Sequence, residues 1–180
     1  MFTPLSLGTN HMFGQDNWVP LTNNNFEIRI YRGDGSSPTE NADLLTLTTN
    51  DIGEIVEEED VITIHYGNGI IKFPAKVSFS DVDWTLNCYC EPNVIGELRK
   101  WRAQVYDPAT ERMGLPTEYM RTAYFIKYDG RGQARDIIKC PGVWPRGLQN
   151  GSHNQSGSEI VQVKTTLVIS KAIYLTSSDF

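Results

Sequence analysis

The sequence predicts a mainly β fold (α+β), an antiparallel β-sandwich or barrel with one packed α-helix. Three observations carry this. Short runs of alternating apolar and polar residues recur along most of the chain. Gly-rich connections join two pairs of these runs as hairpins. A single segment spaces its apolar residues at helical period.

Residues 1–25 carry Phe2, Leu5, Leu7, Phe13 and Trp18 without any period. They read as an extended arm that docks on something, or else as a disordered leader. A β domain over 26–176 follows. Phe26, Ile28 and Ile30 alternate with Glu27, Arg29 and Tyr31, as in a half-buried strand. Arg32 to Pro38 breaks it; its Arg-Gly-Asp triplet reads as a turn rather than an integrin motif. Leu44 to Thr49 reads as a second strand, Leu45 and Leu47 on one face and Thr46 and Thr48 on the other. Val61–Tyr66 and Ile70–Phe73 flank Gly67-Asn68-Gly69, the best hairpin signal in the chain. Val77 and Phe79 suggest another short strand.

Val82 to Cys90 forms a further strand, with Trp84, Leu86, Cys88 and Cys90 on one face. Pro92 opens a helix over 92–106, since proline suits the first helical position. Val94, Leu98, Trp101 and Val105 fall within about 60° on its wheel, a narrow core stripe. Asp107-Pro108 ends it, and a loop from Glu111 to Pro116 follows. Thr122–Tyr128 and Ala134–Cys140, joined by Asp129-Gly130-Arg131-Gly132, make the second hairpin, which Pro141 to Pro145 terminates. Arg146 to Ser158 reads as a polar loop. The alternating run Glu159–Tyr174 is long enough, at roughly 50 Å extended, to demand a break or bend.

The 180 residues are 39% hydrophobic and 21% charged, with mean hydropathy −0.36. That composition suits one core rather than two. No apolar run reaches the roughly 18 residues of a membrane span, and the start has neither basic nor apolar segments of a secretory signal. Three cysteines argue against a disulfide framework. A net charge of −6 and a pI near 5.0 disfavour a grip on phosphate.

The sequence shows no catalytic motif, and no catalytic residue, cofactor or metal is expected from it. His11, His65 and His153 are scattered. Cys88, Cys90 and Cys140 read as small core residues rather than zinc ligands. The run Glu54, Glu57, Glu58, Glu59 and Asp60 lacks the glycine and spacing of a calcium loop. Arg99, Lys100 and Arg102 make too weak a basic footprint for nucleic acid on a −6 chain. The physical oddity lies elsewhere: strands with a polar Thr/Asn/Gln face and edges without Lys or Pro guards suit extension by further copies.

Asp83-Trp84-Thr85, then Trp101, then Pro116-Thr117-Glu118-Tyr119 resemble segments of the tail tube proteins of contractile-tailed bacteriophages. The likeness continues through Ile138-Lys139-Cys140-Pro141-Gly142-Val143-Trp144-Pro145 and Glu159–Val163 to the strand ending near Tyr174. Asn25-Phe26-Glu27-Ile28 is similar to that family's first strand. The ordered set spans about residues 80–175; the arm is longer than in the family, and Arg32–Asp60 matches it poorly.

The resemblance implies a non-enzymatic structural protein of the virion, assembled in the bacterial cytoplasm. Hexameric rings would share one continuous inner β-barrel and stack into the rigid tube within a contractile sheath. Related tubes serve type VI secretion and other injection devices, and the same fold builds baseplate or terminator rings. The implied partners are further copies of the chain, the sheath protein, the tape measure protein and the baseplate. Viral DNA would pass through without specific binding, and no membrane is involved. With four lumen strands per subunit, the barrel would have about 24 strands and a diameter of roughly 50 Å. Six chains of −6 would carry about −36 per ring, repelling DNA wherever it faces the lumen. Glu54 and Glu57 to Asp60 are the candidates for that wall or for the ring-stacking face. A small β-barrel binding module is the competing reading from a different class.

Overall fold

The computed structural model describes residues 21–33, 42–91, 93–151, 156 and 159–175. The expected arm lies outside the described residues apart from 21–25, as do most of the Arg-Gly-Asp loop, Pro92, His11 and His153. The elements are β1 (Phe26–Tyr31), α1 (Ala42–Thr48), β2 (Thr49–Ile52), β3 (Glu57–Tyr66), β4 (Gly69–Phe79), β5 (Val82–Asn87) and α2 (Val94–Val105). There follow β6 (Tyr106–Asp107), β7 (Arg112–Met113), α3 (Pro116–Tyr119), β8 (Arg121–Tyr128), β9 (Ala134–Gln149), β10 (Gln162–Val168) and β11 (Ile173–Leu175).

All main-sheet pairings are antiparallel, in the order β1-β8-β9-β10-β5-β2 with β11 also on β9. β9 belongs to both halves of this sheet: residues 134–143 pair with β8, and residues 144–149 pair with β10. The inner faces of both halves supply one core, with Ile28, Ile30, Trp84, Leu86, Phe125, Ile138, Val163 and Leu167 in it. Val94, Leu98, Trp101 and Val105 of α2 are all buried. Burial of such side chains is worth roughly 2 kcal/mol each, which holds a helix containing Gly96.

The helix begins at Val94, capped by the Asn93 side chain, which accepts the Gly96 N–H at 2.8 Å. The expected break in the last strand falls between β10 and β11.

Three expectations are corrected. Leu44 to Thr49 is mostly helix α1, not a strand. Leu45 is 2% exposed and Leu47 82% exposed, as helical rather than alternate spacing requires. The threonine hydroxyls that favour a strand are satisfied inside the helix, Thr48 donating to Leu44 O (2.7 Å) and Thr49 to Leu45 O (2.8 Å). Second, Pro141 to Pro145 do not end the ladder, since β9 runs sixteen residues through both prolines. The register shifts beside each, at Arg121/Thr122 and Thr166/Leu167, so the chain bulges where an N–H is missing. Gly142 takes φ +79° in the first bulge. Third, β5 ends at Asn87, and Cys90 is exposed rather than part of the core; Cys140 is buried.

A candidate assembly surface

The chain between β2 and β5, which are sheet neighbours, forms the hairpin β3–β4. Its root is fixed. Gly53 N–H donates to Asp83 O (2.7 Å), Ser80 N–H to Val56 O (2.9 Å), and Val56 N–H to the Ser80 hydroxyl (2.9 Å). Phe79 packs against the core, and burial, together with the Glu57 carboxylate, holds the Tyr174 phenol above its usual range. The turn is Gly67-Asn68, with Gly67 at φ +57°, as a two-residue hairpin connection requires.

Beyond the root the hairpin packs on nothing among the described residues. Every residue of β3 is exposed, and so is every residue of β4 except Phe79. Register puts Ile62 opposite Phe73 and Ile64 opposite Ile71. These four share a face with Tyr66, because directly paired residues point the same way. Each of the five is between 47% and 79% exposed. A two-stranded hairpin alone is marginal in water, and a contiguous apolar face of this kind marks an interaction surface. The opposite face is mixed, with Val61, Thr63, His65, Ile70, Lys72 and Pro74.

Of the sequence-predicted acidic residues, Glu57, Glu58, Glu59 and Asp60 sit in the root half of β3, and Glu54 lies in the loop before it. All are exposed. The hairpin turn is legible in the sequence, but the apolar face is not singled out by it. Following register outward from Gly67-Asn68 is the signal that reveals it.

The remaining motif residues hold the fold. Trp101 Nε1–H donates to Tyr119 O (2.8 Å), and the Tyr119 ring meets Trp144 edge-on at 6.0 Å. The Arg121 guanidinium lies 4.2 Å above the Trp101 ring, and burial there pulls it down to about 10. Pro116 starts α3, and the Glu118 carboxylate accepts the Leu115 N–H. Trp84 Nε1–H donates to the Thr49 hydroxyl, Asp83 accepts the Thr166 hydroxyl, and Pro145 sits at a β9 bulge.

On the outer face of β5 and β10, Asp51, Asp83, Thr85, Gln149, Lys164 and Thr166 line an open groove of about 260 Å³. Among the described residues, no group of three or more His, Cys, Asp or Glu is placed to hold a metal ion. No helix among them is long and apolar enough to cross a membrane. The edge of β1 is covered by α1, whose Thr46 hydroxyl donates to Ile28 O (2.6 Å).

No family model and no curated protein matches the sequence. Solved structures do match. The tube-terminating cap of the anti-feeding prophage superposes with a TM-score of 0.68 at 12% identity, over 88% of this chain and 92% of that one. The sheath-tube complex of the PVC extracellular contractile injection system gives 0.62 at 11% identity, over 98% and 99%. The SPP1 tail tube gives 0.55 at 12% identity, over 88% and 80%. The chain therefore has the antiparallel β architecture of these tube and cap proteins, the tail-tube fold.

Proposed function

We propose that the chain is a tail tube subunit. Hexameric rings stack into a rigid inner tube within a contractile sheath, and the tube conducts a viral genome into a host cell. The observation that carries this reading is the hairpin 57–79, whose apolar face no part of the described chain covers. Further copies of the subunit supply that cover, and ring closure removes the free strand edges. The sheath lies outside the tube, with the tape measure protein and baseplate meeting it during assembly in the bacterial cytoplasm.

The acidic root of the hairpin, Glu57 to Asp60 with Glu54, lies on the lumen or ring-stacking side, where it repels DNA phosphate. A tube map with all five carboxylates on the sheath-facing wall refutes that placement.

A tube-terminating ring is the second reading, favoured by the likeness to the anti-feeding prophage cap. Negative-stain microscopy of the purified protein separates them. Long tubes support the tube subunit, single or paired rings the terminator, and particles that stay monomeric at every concentration overturn both.

A further inference from the structure

The two strands of the hairpin carry opposite charge. β3 holds Glu57, Glu58, Glu59 and Asp60 and no Lys or Arg, whereas β4 holds Lys72 and Lys76 and no Asp or Glu. Among the described residues each strand pairs only with the other, which leaves the outer edge of each open there. Unlike the edges expected from the sequence, the β4 edge carries two lysines and a proline. Among the described residues neither lysine forms an ion pair within the chain, and nor do Glu58, Glu59 and Asp60.

We infer that the hairpin is a directional connector, in which the acidic β3 edge of one copy takes the basic β4 edge of the next, head to tail. The inference rests on the ring reading above and adds what selects ring closure over other self-association. In a ring all hairpins point the same way. β3 runs from root to tip and β4 returns, so β3 beside a neighbour's β4 is an antiparallel pair. Glu59 stands opposite Val77 of its own chain, so at equal height the neighbour's Lys76 comes level with Glu59 and Asp60.

The competing arrangement is a two-fold dimer, which pairs like edges. A two-fold pair of strands is antiparallel, so β4 on β4 sets Lys72 against Lys76. β3 on β3 sets the acidic root half of one strand against the uncharged tip half of the other and gives its four carboxylates no cation. Like charge penalises the β4 pair and the β3 pair gains nothing from charge, while the head-to-tail contact sets acid beside lysine. A heterologous contact of this kind is the type that builds a ring when its rotation closes, as in the ring proposed above, and it leaves no two-fold product. The lysine edge of a second copy offsets only part of the acidic run, since Glu54 and Glu57 to Asp60 outnumber Lys72 and Lys76, so the surplus negative charge remains for the DNA-repelling role proposed above.

The test uses two full-length variants. One carries Lys72→Glu and Lys76→Glu, making both edges acidic; the other carries Glu58→Lys, Glu59→Lys and Asp60→Lys, making both edges basic. Circular dichroism verifies that each folds, and native mass spectrometry with negative-stain microscopy reads assembly. Each variant alone is expected to need at least tenfold more protein than wild type to form rings. An equimolar mixture is expected to restore rings at the wild-type concentration, with the two chains in equal number, because every contact then pairs acid with base. Variants that assemble alone as wild type does, or a mixture of folded variants that stays unassembled, overturn the inference and leave the ring reading intact. A wild-type chain that never forms rings overturns both.

Discussion

Replacing Ile62, Ile64, Ile71 and Phe73 together by threonine tests whether the hairpin face is an association surface. Each of these side chains is about half exposed in the free chain, Ile62 at 53%, Ile64 at 49%, Ile71 at 49% and Phe73 at 47%. Complete burial of such a side chain is worth about 1.5–3 kcal/mol, so the outstanding half is worth about 1 kcal/mol. Four of them amount to about 4 kcal/mol per contact, or roughly a thousandfold in association constant. Threonine keeps the strand preference of the segment, so the hairpin itself is retained. The face touches nothing else in the described chain, so the melting temperature of the unassembled subunit should not move by more than a degree or two. Sedimentation velocity across a concentration series measures the association, and differential scanning calorimetry measures the subunit. A quadruple variant that assembles at the wild-type concentration refutes the reasoning. So does one whose subunit melts far lower, because the face would then be part of the core.

Trp101→Phe leaves the Tyr119 carbonyl without its donor and weakens the stacking of Arg121. A loss of about 2–3 kcal/mol, or roughly 5–10 °C in melting temperature, is expected by calorimetry. Gly142→Ala forces a side chain into φ +79° and should lower the urea midpoint by an amount equivalent to about 1–2 kcal/mol. Glu27 accepts hydrogen bonds from Arg29 and the Tyr128 hydroxyl, and the Arg29 bond above all holds its carboxyl below the usual 4.5. That stabilisation is complete above 4.5 and is lost as pH falls through the lowered value, so Glu27→Gln should flatten the acid limb of a urea-midpoint profile. Burial pushes the Cys140 thiol up to about 12, and Cys90 is exposed. A thiol reagent at pH 8 should therefore modify Cys90 first and reach Cys140 only in denaturant, which mass spectrometry of the labelled peptides reads directly.

The elements legible in the sequence are those whose local pattern agrees with their surroundings. Phe26–Tyr31, the α2 stripe and the Gly67-Asn68 turn need no tertiary information, because period and turn chemistry already specify them. The misread elements are those where tertiary structure supplies what the local pattern lacks. α1 tolerates two threonines because the Thr46 hydroxyl reaches the β1 edge and the Thr48 hydroxyl returns to the helix. β9 passes two prolines because bulges and the change of partner from β8 to β10 absorb them. The candidate assembly surface is half legible. The hairpin and its acidic root stand out in composition, but its apolar face emerges only once register pairs Ile62 with Phe73 and Ile64 with Ile71. Trp84, Trp101, Tyr119 and Trp144 carry the family resemblance for a structural reason, since they pack or hydrogen-bond the helices onto the sheet.

The long strand β9 also has a mechanical meaning. It is one covalent spar shared by both halves of the sheet, gripped by β8 along its first part and by β11 and β10 along its flank. A force that would splay the halves apart cannot work at a flexible linker, because β9 spans the division without one. It must shear several rows of backbone hydrogen bonds at once, a far stiffer response than peeling them one by one. In the tube proposed above, axial thrust would then pass from ring to ring as through a rigid shell.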